Sequence, residues 1–292
     1  MKAISILITC HNRRQKTISC LRSLFSCELP PNYQLEVFLV DDASTDDTFE
    51  AIKNNFPKVN IISGNGNLYW NKGMRLAWET AAQTNDYDFY LWLNDDTILD
   101  NNAIFQLLET YQELIQNDNT PAVLCGACRA SDETIDFSYG GRTESGAVIP
   151  NGEIQSCKYI NGNVVLVPKE IFHAIGYLSD DYTHFMGDFD YGLRVLKANF
   201  HCYTSKTYIA TCLLNEGIPA WCNPQTPIKK RWEQFHSPKG LNIAEYIIFR
   251  KRFWGRKWII YAIKAYLKTI YPAMYKTITN KINASPNFPF QI

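Results

Sequence analysis

The sequence contains no apolar run of the roughly 18 residues that a membrane-spanning helix requires. It also lacks the glycine-rich signature GxxxxGK(S/T), and no GxGxxG follows its first apolar segment. The polar turn after that segment, His11-Asn12-Arg13-Arg14, has no glycine that would let the backbone approach a pyrophosphate closely. These absences argue against a membrane-spanning helix, a P-loop NTPase and a dinucleotide-binding dehydrogenase.

Cysteine usage indicates a reducing compartment. The nine cysteines are an odd number, they are scattered through apolar segments, and no secretory signal precedes them. A cytoplasmic location fits this pattern best, because disulfides are rare there. Cys125 and Cys128 form a single CxxC without a second pair, so the sequence predicts buried small residues at these positions rather than a zinc or redox site.

Acidic residues are scarce toward the C-terminus. Residues 228–292 hold 13 of the 29 Lys and Arg side chains but only 2 of the 29 Asp and Glu side chains, Glu233 and Glu245. A neutral total therefore hides an acidic body and a basic tail, and such a tail favours an anionic partner. The acidic body would repel a polyanion, so we expect no nucleic-acid partner.

Apolar segments alternate with helical periodicity along the first third of the chain. Short apolar runs at 4–10, 35–40, 59–62 and 88–93 read as strands, and the segments 15–27, 47–54 and 72–84 have helical spacing. This alternation predicts an α/β fold with parallel strands and right-handed crossovers. Polar clusters follow three of the first four strands, at the sheet edge where such folds bind ligands.

The segment after the fourth apolar run carries two adjacent carboxylates. Asn94, Asp95 and Asp96 follow residues 90–93 directly. Neighbouring carboxylates repel each other, so a fold keeps them together when a positive group neutralises them. A divalent cation that bridges to phosphate oxygens is one such group. A polar turn with Asp96 or Thr97 as a helix N-cap is the alternative.

Four segments in this order resemble the signatures of family 2 glycosyltransferases: 4–13 (ISILITCHNR), 40–46 (VDDASTD), 93–97 (LNDDT) and 187–194 (GDFDYGLR). The resemblance implies the GT-A fold, a Rossmann-like mixed sheet flanked by helices. The catalytic domain would span 1–215, with a nucleotide-binding half at 1–125 and an acceptor half at 126–215. Residues 216–292 would form a basic loop and a C-terminal helical extension.

The same resemblance implies a function. Members of the family are typically inverting enzymes that use a nucleotide-diphosphate sugar with Mg²⁺ or Mn²⁺. A UDP- or dTDP-linked donor, and a saccharide or lipid-linked acceptor in surface polysaccharide assembly, would fit. A nucleotidyltransferase and a non-catalytic sugar- or nucleotide-binding module remain alternatives. The first would normally carry a glycine-rich basic loop after the first strand, and the second would not need acids at two sites.

Residue roles follow from the matched positions. Asp188 resembles the catalytic base, and Asp96 the metal ligand, with Asp95 beside it. The nucleotide-binding candidates are Thr9, Asp41, Asp42, Asn71, Lys72 and Asp95. For Asp42 an Asx turn, and for Asp188 a favourable charge at a helix N-terminus, are the alternatives. Three positions depart from the family pattern, which commonly has Asp, Arg and Glu where this chain has Asn94, Trp70 and Gly187.

The acceptor half and the loop after it supply further candidates. Polar residues that could line the acceptor or donor-sugar pocket are Asn161, Gly162, Asn163, His184 and Asp190. A turn or bulge explains residues 161–163 equally well. Residues 221–240 resemble the segment that closes over donor phosphates, and Arg231 and His236 are the candidates for diphosphate contacts. A solvated loop is the alternative.

The basic tail reads as an amphipathic helix. Arg250, Lys251 and Arg252 precede a stripe made of Ile259, Ile263, Leu267, Ile270 and Met274. Basic side chains next to an apolar stripe are typical of helices that lie on a membrane surface. The sequence therefore predicts peripheral membrane contact through residues 250–276. In the alternative, the stripe packs on the catalytic domain.

Overall fold

A ten-stranded mixed sheet runs through the centre of the computed structural model, which describes residues 1–118, 120–133, 135–214 and 217–273. The strands are β1 (Lys2–Cys10), β2 (Tyr33–Asp41), β3 (Val59–Ser63), β4 (Phe89–Leu93), β5 (Ile98–Leu99), β6 (Ala122–Arg129), β7 (Phe137–Tyr139), β8 (Arg142–Thr143), β9 (Gly146–Ala147), β10 (Gln155–Ser156), β11 (Val164–Pro168) and β12 (His201–Thr211). The helices are α1 (Arg14–Ser26), α2 (Thr48–Asn55), α3 (Tyr69–Thr84), α4 (Ala103–Asp118), α5 (Lys169–Ile175), α6 (Gly187–Lys197), α7 (Ile228–His236), α8 (Ile243–Trp254) and α9 (Trp258–Ile270). Strands β8 and β9 form a separate two-stranded sheet.

The first half of the sheet is parallel and the second half is mixed. Its main path runs β10-β12-β6-β11-β4-β1-β2-β3, and β1 pairs in parallel with both β2 and β4. Strand β11 is antiparallel to both β4 and β6. All five residues of β4 are buried, as expected for a central strand covered on both faces. The expected Rossmann-like mixed sheet flanked by helices is confirmed.

Two apolar cores lie on opposite faces of the sheet. On one face, alternate residues of β1 such as Ile6 pack with Leu21 of α1 and Leu107 of α4. On the other face, Leu7 packs in a core with Trp78 of α3 and Tyr191 of α6. Neighbouring residues of one strand thus serve different cores, which fixes the register of β1.

The C-terminal extension shares a third core with the segment around α6. Trp221, Phe235 and Phe249 belong to this core together with Tyr182 and Met186. The boundary predicted between residues 215 and 216 lies outside the described residues. Within the described residues, no helix is long and apolar enough to span a membrane.

Helix α9 turns its large apolar side chains outward. Its buried residues are small, namely Ala262, Ala265 and Thr269. The exposed side chains, between 39% and 55% accessible, are Ile259, Ile260, Ile263, Ile270, Leu267 and Tyr271. The alternative in which the stripe packs on the catalytic domain is therefore wrong for this part of the helix. Met274 lies outside the described residues.

Two of the three basic residues expected at a lipid surface contact other side chains of the protein. Arg250 is buried, and its guanidinium lies 4.2 Å from the ring centroid of Tyr261 and 4.5 Å from that of Trp254. Arg252 forms ion pairs with Asp181 and Asp190. The assignment of Arg250 and Arg252 to lipid contact is thus corrected, because their charges already have partners in the fold.

All nine cysteines, each within the described residues, are free thiols. Cys125 and Cys128 are buried on β6, as the sequence predicted. Burial raises the pKa of the Cys125 thiol to about 12, so this thiol stays protonated at neutral pH.

Candidate active site

The loops that carry the candidate residues meet at one edge of the sheet. Because β1, β2 and β4 are parallel, their carboxyl ends place Arg13, Asp42 and Asp96 at the same edge. Strand β11 runs the other way, so the loop before it returns to this edge. The N–H of Asn94 donates to the carbonyl of Asn163 at 3.0 Å, which joins the two loops.

Asp95 and Asp96 share one guanidinium group. Nη1 of Arg13 lies 3.1 Å from Oδ1 of Asp95 and 2.8 Å from Oδ2 of Asp96. Nζ of Lys16 lies 3.7 Å from the same oxygen of Asp96. Burial raises the pKa of Asp95 to about 7 even though the charge of Arg13 lowers it. The sequence predicted a divalent cation as the neutralising group, and the structure adds the charge of Arg13, which contacts both carboxylates.

Asp96 nevertheless keeps one oxygen that fits a metal. Its Oδ1 faces only the thiol of Cys212, at 3.8 Å, among its described polar partners. Magnesium is commonly held by one or two carboxylates together with substrate phosphate oxygens and water. No cluster of three or more His, Cys, Asp or Glu side chains suited to a metal occurs in the described part of the chain. Asp96 therefore fits a metal that the substrate completes, while Asp95, buried and paired, fits less well.

Asp188 lies in the first turn of α6 and is held by two backbone amides. The N–H of Gly162 donates to its Oδ2 at 3.1 Å, and the N–H of Phe189 donates to its Oδ1 at 2.8 Å. Burial raises the pKa of Asp188 to about 6, although these hydrogen bonds lower it. A carboxylate with a pKa near the working pH is suited to general-base catalysis.

Asp42 organises the loop before α3. Its carboxylate accepts hydrogen bonds from the N–H groups of Gly66 at 2.7 Å, Leu68 at 2.9 Å and Tyr69 at 3.1 Å. These bonds take three of the roughly four acceptor positions of a carboxylate. Asp42 thus fixes a loop that is distant in the sequence, which differs from the local Asx turn that the sequence left open. Asp41 beside it accepts from the N–H of Ser44 at 3.1 Å.

Three further nucleotide-binding candidates belong to α3 or pack on it. Asn71 is fully buried, and its Nδ2 donates to the carbonyls of Ser179 at 2.8 Å and Tyr182 at 2.6 Å. Thr9 lies against α3 so tightly that a Cβ at Gly73 would overlap its hydroxyl. Asn71 therefore ties α3 to the loop before Asp188. The partly buried Lys72 forms no ion pair with another described side chain.

Two departures from the family pattern contact each other. The indole Nε1 of Trp70 donates to Oδ1 of Asn94 at 2.7 Å. The same ring lies against Gly162, where any Cβ would overlap it. A third departure, Gly187, is explained in the same way, because a Cβ there would overlap the side-chain amide of Asn71. Neutral contacts thus replace the charged residues that the family commonly has at these positions.

The polar residues before β11 have different surroundings. Asn163 is buried, and its Nδ2 lies 3.3 Å from the sulfur of Cys212. The side-chain oxygen of Asn161 accepts from the N–H of Gly140 and from Nε of Arg142, each at 3.4 Å. Of the three, Gly162 contacts Asp188 directly, so this loop positions the candidate base.

His184, in the loop before α6, contacts the first turn of α3. The charged side chains of Lys239 and Arg13, from distant parts of the chain, lie near its ring. Its Nδ1 accepts from the N–H of Trp70 at 3.3 Å, and its ring centroid is 6.1 Å from that of Tyr69. Nζ of Lys239 lies 5.9 Å from the Tyr69 ring centroid. Burial lowers the pKa of His184 to about 4, and the charges of Lys239 and Arg13 lower it as well.

Sequence reasoning missed Arg13 and Lys239 as site residues. Parallel pairing of β1 with β4 could have placed Arg13 opposite Asp95, since both follow the carboxyl ends of adjacent strands. Lys239 has no comparable signal, because its position depends on how the extension folds back.

Three predicted site residues have structural partners instead. Asp190 is fully buried, with Nε of Arg194 at 2.7 Å and Nη1 of Arg252 at 2.6 Å from its oxygens. Arg231 is buried and donates to the carbonyls of Thr269 at 2.7 Å, Thr226 at 2.7 Å and Ile270 at 3.3 Å. The structure therefore does not support Asp190 in a sugar pocket or Arg231 at a diphosphate. His236 bonds within α7, through Nδ1 to the carbonyl of Trp232 at 2.9 Å.

Backbone strain is concentrated at the same edge. Among the described residues, five non-glycine residues at this edge have positive φ, namely Asn12 (52°), Ala43 (56°), Asp47 (59°), Tyr69 (54°) and Met186 (74°). Such conformations are costly for L-residues and persist where the surrounding structure fixes them, often at functional sites. The strained residues precede α1, α3 and α6 or follow β2, so they direct the chain at the points where the candidate residues meet.

Comparisons with known proteins identify the family of the chain. The family model described as Glycosyl transferase family 2 matches residues 5–163. A poly-beta-1,6-N-acetyl-D-glucosamine synthase of Staphylococcus epidermidis is 28% identical over 113 residues, which cover 39% of this chain and 26% of that protein. The match thus spans about a quarter of that relative's length.

Solved structures show the same fold. The chain resembles residues 1–349 of S. aureus TarS in complex with UDP-GlcNAc, with a TM-score of 0.53 and 14% identity over 95% of this chain and 84% of that chain. It also resembles the mannosyltransferase PcManGT from Pyrobaculum calidifontis in complex with GDP-Man and Mn²⁺, with a TM-score of 0.51 and 13% identity over 96% of this chain and 79% of that chain. At these identities the likeness concerns the fold.

Proposed function

Because the chain belongs to glycosyl transferase family 2, we propose that it is an inverting enzyme in which Asp188 is the catalytic base. The observation that carries this proposal is the position of Asp188, whose carboxylate is fixed by Gly162 and Phe189 at the sheet edge that also carries Asp96. Its pKa of about 6 leaves the group mostly ionised at neutral pH and still basic enough to accept a proton.

The reaction needs one base. The acceptor hydroxyl oxygen forms a bond to the anomeric carbon while the bond from that carbon to the diphosphate oxygen breaks. The electron pair of the broken bond stays on the diphosphate, and the hydroxyl proton goes to Asp188. Attack from the side opposite the leaving group inverts the configuration. A second carboxylate at the bond, as in glycoside hydrolases, is not required.

The donor in this proposal is a UDP- or dTDP-linked sugar. TarS was solved with UDP-GlcNAc and PcManGT with GDP-Man, so nucleotide sugars occupy this fold in both neighbours. Thr9 and Asp41 at the ends of β1 and β2 are the candidates for the nucleobase contact, since a carboxylate accepts from the ring N–H of uracil or thymine. Asp42 and Asn71 support the site by fixing the loops around it.

A divalent cation belongs to the proposal through Asp96. Mn²⁺ accompanies GDP-Man in PcManGT, and Oδ1 of Asp96, which faces only the weakly donating thiol of Cys212 among its described polar partners, fits such an ion. When bound, the ion would neutralise the donor's diphosphate as the bond to the sugar breaks. Arg13 already occupies the other oxygen of Asp96, so the guanidinium and the ion share one carboxylate.

The proposed acceptor is a saccharide or a lipid-linked saccharide in polysaccharide assembly. The name of the S. epidermidis relative indicates a polysaccharide product for that protein. The exposed apolar face of α9 supports a lipid-linked acceptor, because Lys257 and Lys264 beside it are exposed and would meet an anionic leaflet. We therefore include contact of α9 with anionic lipid in the proposal.

Donor screening tests the function. The purified chain is incubated with UDP-, dTDP- and GDP-linked sugars with and without Mn²⁺, and release of nucleoside diphosphate is measured. We expect at least one donor to be hydrolysed or transferred, and Asp188→Asn to lower this rate by about 10²–10⁴-fold. Asp180→Asn is the matched control, because Asp180 is an exposed acid in the same segment. Equal rates for Asp188→Asn and Asp180→Asn would show that another residue is the base.

A further inference from the structure

His184 presents an N–H group toward the candidate site. Because the N–H of Trp70 donates to Nδ1, this nitrogen is an acceptor. The ring is neutral at pH 7, since burial and the charges of Lys239 and Arg13 lower its pKa to about 4. A neutral imidazole with an accepting Nδ1 carries its proton on Nε2. Within the described part of the chain this N–H has no hydrogen-bond acceptor.

Lys239 is presented by a tight turn. The N–H of Gly240 donates to the carbonyl of Ser237 at 2.9 Å, and the N–H of Leu241 donates to that of Gln234 at 3.2 Å. A Cβ at Gly240 would overlap the Gln234 carbonyl, so the turn requires glycine there. Lys239 is exposed, and it forms no ion pair with a described carboxylate. A fixed turn thus holds an unpaired ammonium group near Tyr69 and His184.

The backbone amides at the start of α3 are already in use. Asp42 accepts from Leu68 and Tyr69, and His184 accepts from Trp70. The next two amides, at residues 71 and 72, donate to the carbonyl of Thr183. An anion at this place must therefore be bound by side chains rather than by the helix N-terminus.

We propose that Nε2–H of His184 and the ammonium group of Lys239 bind the diphosphate of the donor. Arg13 adds a second positive charge near the same histidine, which is itself neutral. The identity of the ligand rests on the proposed function, whereas the anion site rests on the contacts of His184 and Lys239. As the sugar leaves, charge builds up on the diphosphate oxygen, and donors fixed in advance stabilise it without reorganising.

Inorganic pyrophosphate is the probe, because it does not depend on the nucleobase. Its affinity is measured by titration calorimetry for the wild type, Lys239→Gln, Lys239→Arg, His184→Asn and Lys230→Gln. We expect Lys239→Gln to weaken binding about tenfold, as for a lost charge-assisted hydrogen bond, and Lys239→Arg to retain most of it. His184→Asn should also weaken binding, because the shorter side chain lacks the Nε2 position. Lys230→Gln is the control, since Lys230 is an exposed lysine on the preceding helix.

A nucleotide series separates the two proposals. Lys239→Gln should weaken UDP more than UMP and leave uridine unchanged. Equal pyrophosphate affinities for Lys239→Gln and Lys230→Gln, or no pyrophosphate binding by the wild type, would overturn the inference. If pyrophosphate binds as expected but no sugar nucleotide is turned over, the proposed function fails and the anion site stands.

Discussion

At the residue scale, Asp188 sets a pH limit on the proposed reaction. A base works only when deprotonated, and burial raises the pKa of Asp188 to about 6. Its protonated fraction therefore grows as the pH falls below this value, and kcat should fall about tenfold for each pH unit below about 6. Above pH 7 the carboxylate of Asp188 is ionised, so kcat should no longer rise with pH through this group.

The pH dependence of kcat, measured at saturating donor, checks this expectation. Asp188→Asn should lose the acidic limb along with most of the rate. A wild-type profile that stays flat down to pH 4.5 would show that a group other than Asp188 accepts the proton.

In the proposed site, we expect Arg13 and a divalent cation to compete for the acidic pair. Nη1 of Arg13 bridges Asp95 and Asp96, so an ion bound at Asp96 lies close to a guanidinium charge. Arg13→Gln removes that charge and leaves two adjacent carboxylates. We expect Mn²⁺ to bind this variant several-fold more tightly than the wild type in the absence of nucleotide. Titration followed by electron paramagnetic resonance of free Mn²⁺ measures the affinity.

Two further variants make this test specific. Arg14→Gln is the control, because the carboxylate that pairs with the Arg14 guanidinium among the described residues is the exposed Asp47, at 3.9 Å. Asp96→Asn should abolish the tight binding in the Arg13→Gln background. Equal Mn²⁺ affinities for Arg13→Gln and Arg14→Gln would mean that the guanidinium does not oppose the ion.

At the scale of elements, Asp190 connects α6 to α8. It is fully buried and receives hydrogen bonds from Arg194, Arg252 and Tyr182. Removing one partner of a buried ion pair leaves the other uncompensated and typically costs about 3–5 kcal/mol. We therefore expect Asp190→Asn to lower the free energy of unfolding by about 3 kcal/mol. Chemical denaturation measures this change.

Activity and stability measurements on Asp190→Asn distinguish a structural role of Asp190 from the catalytic role proposed for Asp188. Asp190→Asn should keep kcat within a few fold of the wild type at a temperature where it is folded. Lys251→Gln, an exposed neighbour of Arg252, is the control for stability. Loss of activity in a stably folded Asp190→Asn protein would show that Asp190 takes part in the reaction.

The first half of the fold was readable from the sequence because its elements are locally determined. The apolar runs of β1 and β4 and the polar clusters after them fix both the strands and the site edge. The antiparallel pairing of β11 with β4, by contrast, depends on long-range packing. The ion pair between Arg252 and Asp190 forms because α8 folds back onto α6. No local sequence pattern encodes this arrangement.

The candidate site shows the same division. The carboxylates at Asp96 and Asp188 follow from motifs, because chemistry fixes their residue type and place. The roles of Asn71 and Asp42 do not, since a buried amide that joins two loops and a ligand-binding amide look alike in sequence. The structure explains the departures at Trp70 and Asn94, because these two side chains form a hydrogen bond with each other.

At the scale of the whole molecule, the exposed face of α9 has no described part of the chain to cover it. Six large apolar side chains between residues 259 and 271 are exposed, and Lys251, Lys257 and Lys264 lie next to them as exposed cations. Each basic group near an anionic leaflet contributes about 1 kcal/mol, and salt screens this attraction over about 10 Å at 0.1 M. Shallow insertion of the apolar face would add to it.

We therefore expect the chain to float with vesicles that contain anionic lipid at low salt and to be released as the salt concentration rises. Ile263→Asp places a charge in the centre of the exposed face and should abolish flotation. Lys257→Gln together with Lys264→Gln should shift release to lower salt. Ile149→Asp is the matched control, because Ile149 is 50% exposed on another part of the surface. Flotation of Ile263→Asp equal to that of the control, or wild type that stays in the soluble fraction at low salt, would show that α9 does not meet lipid.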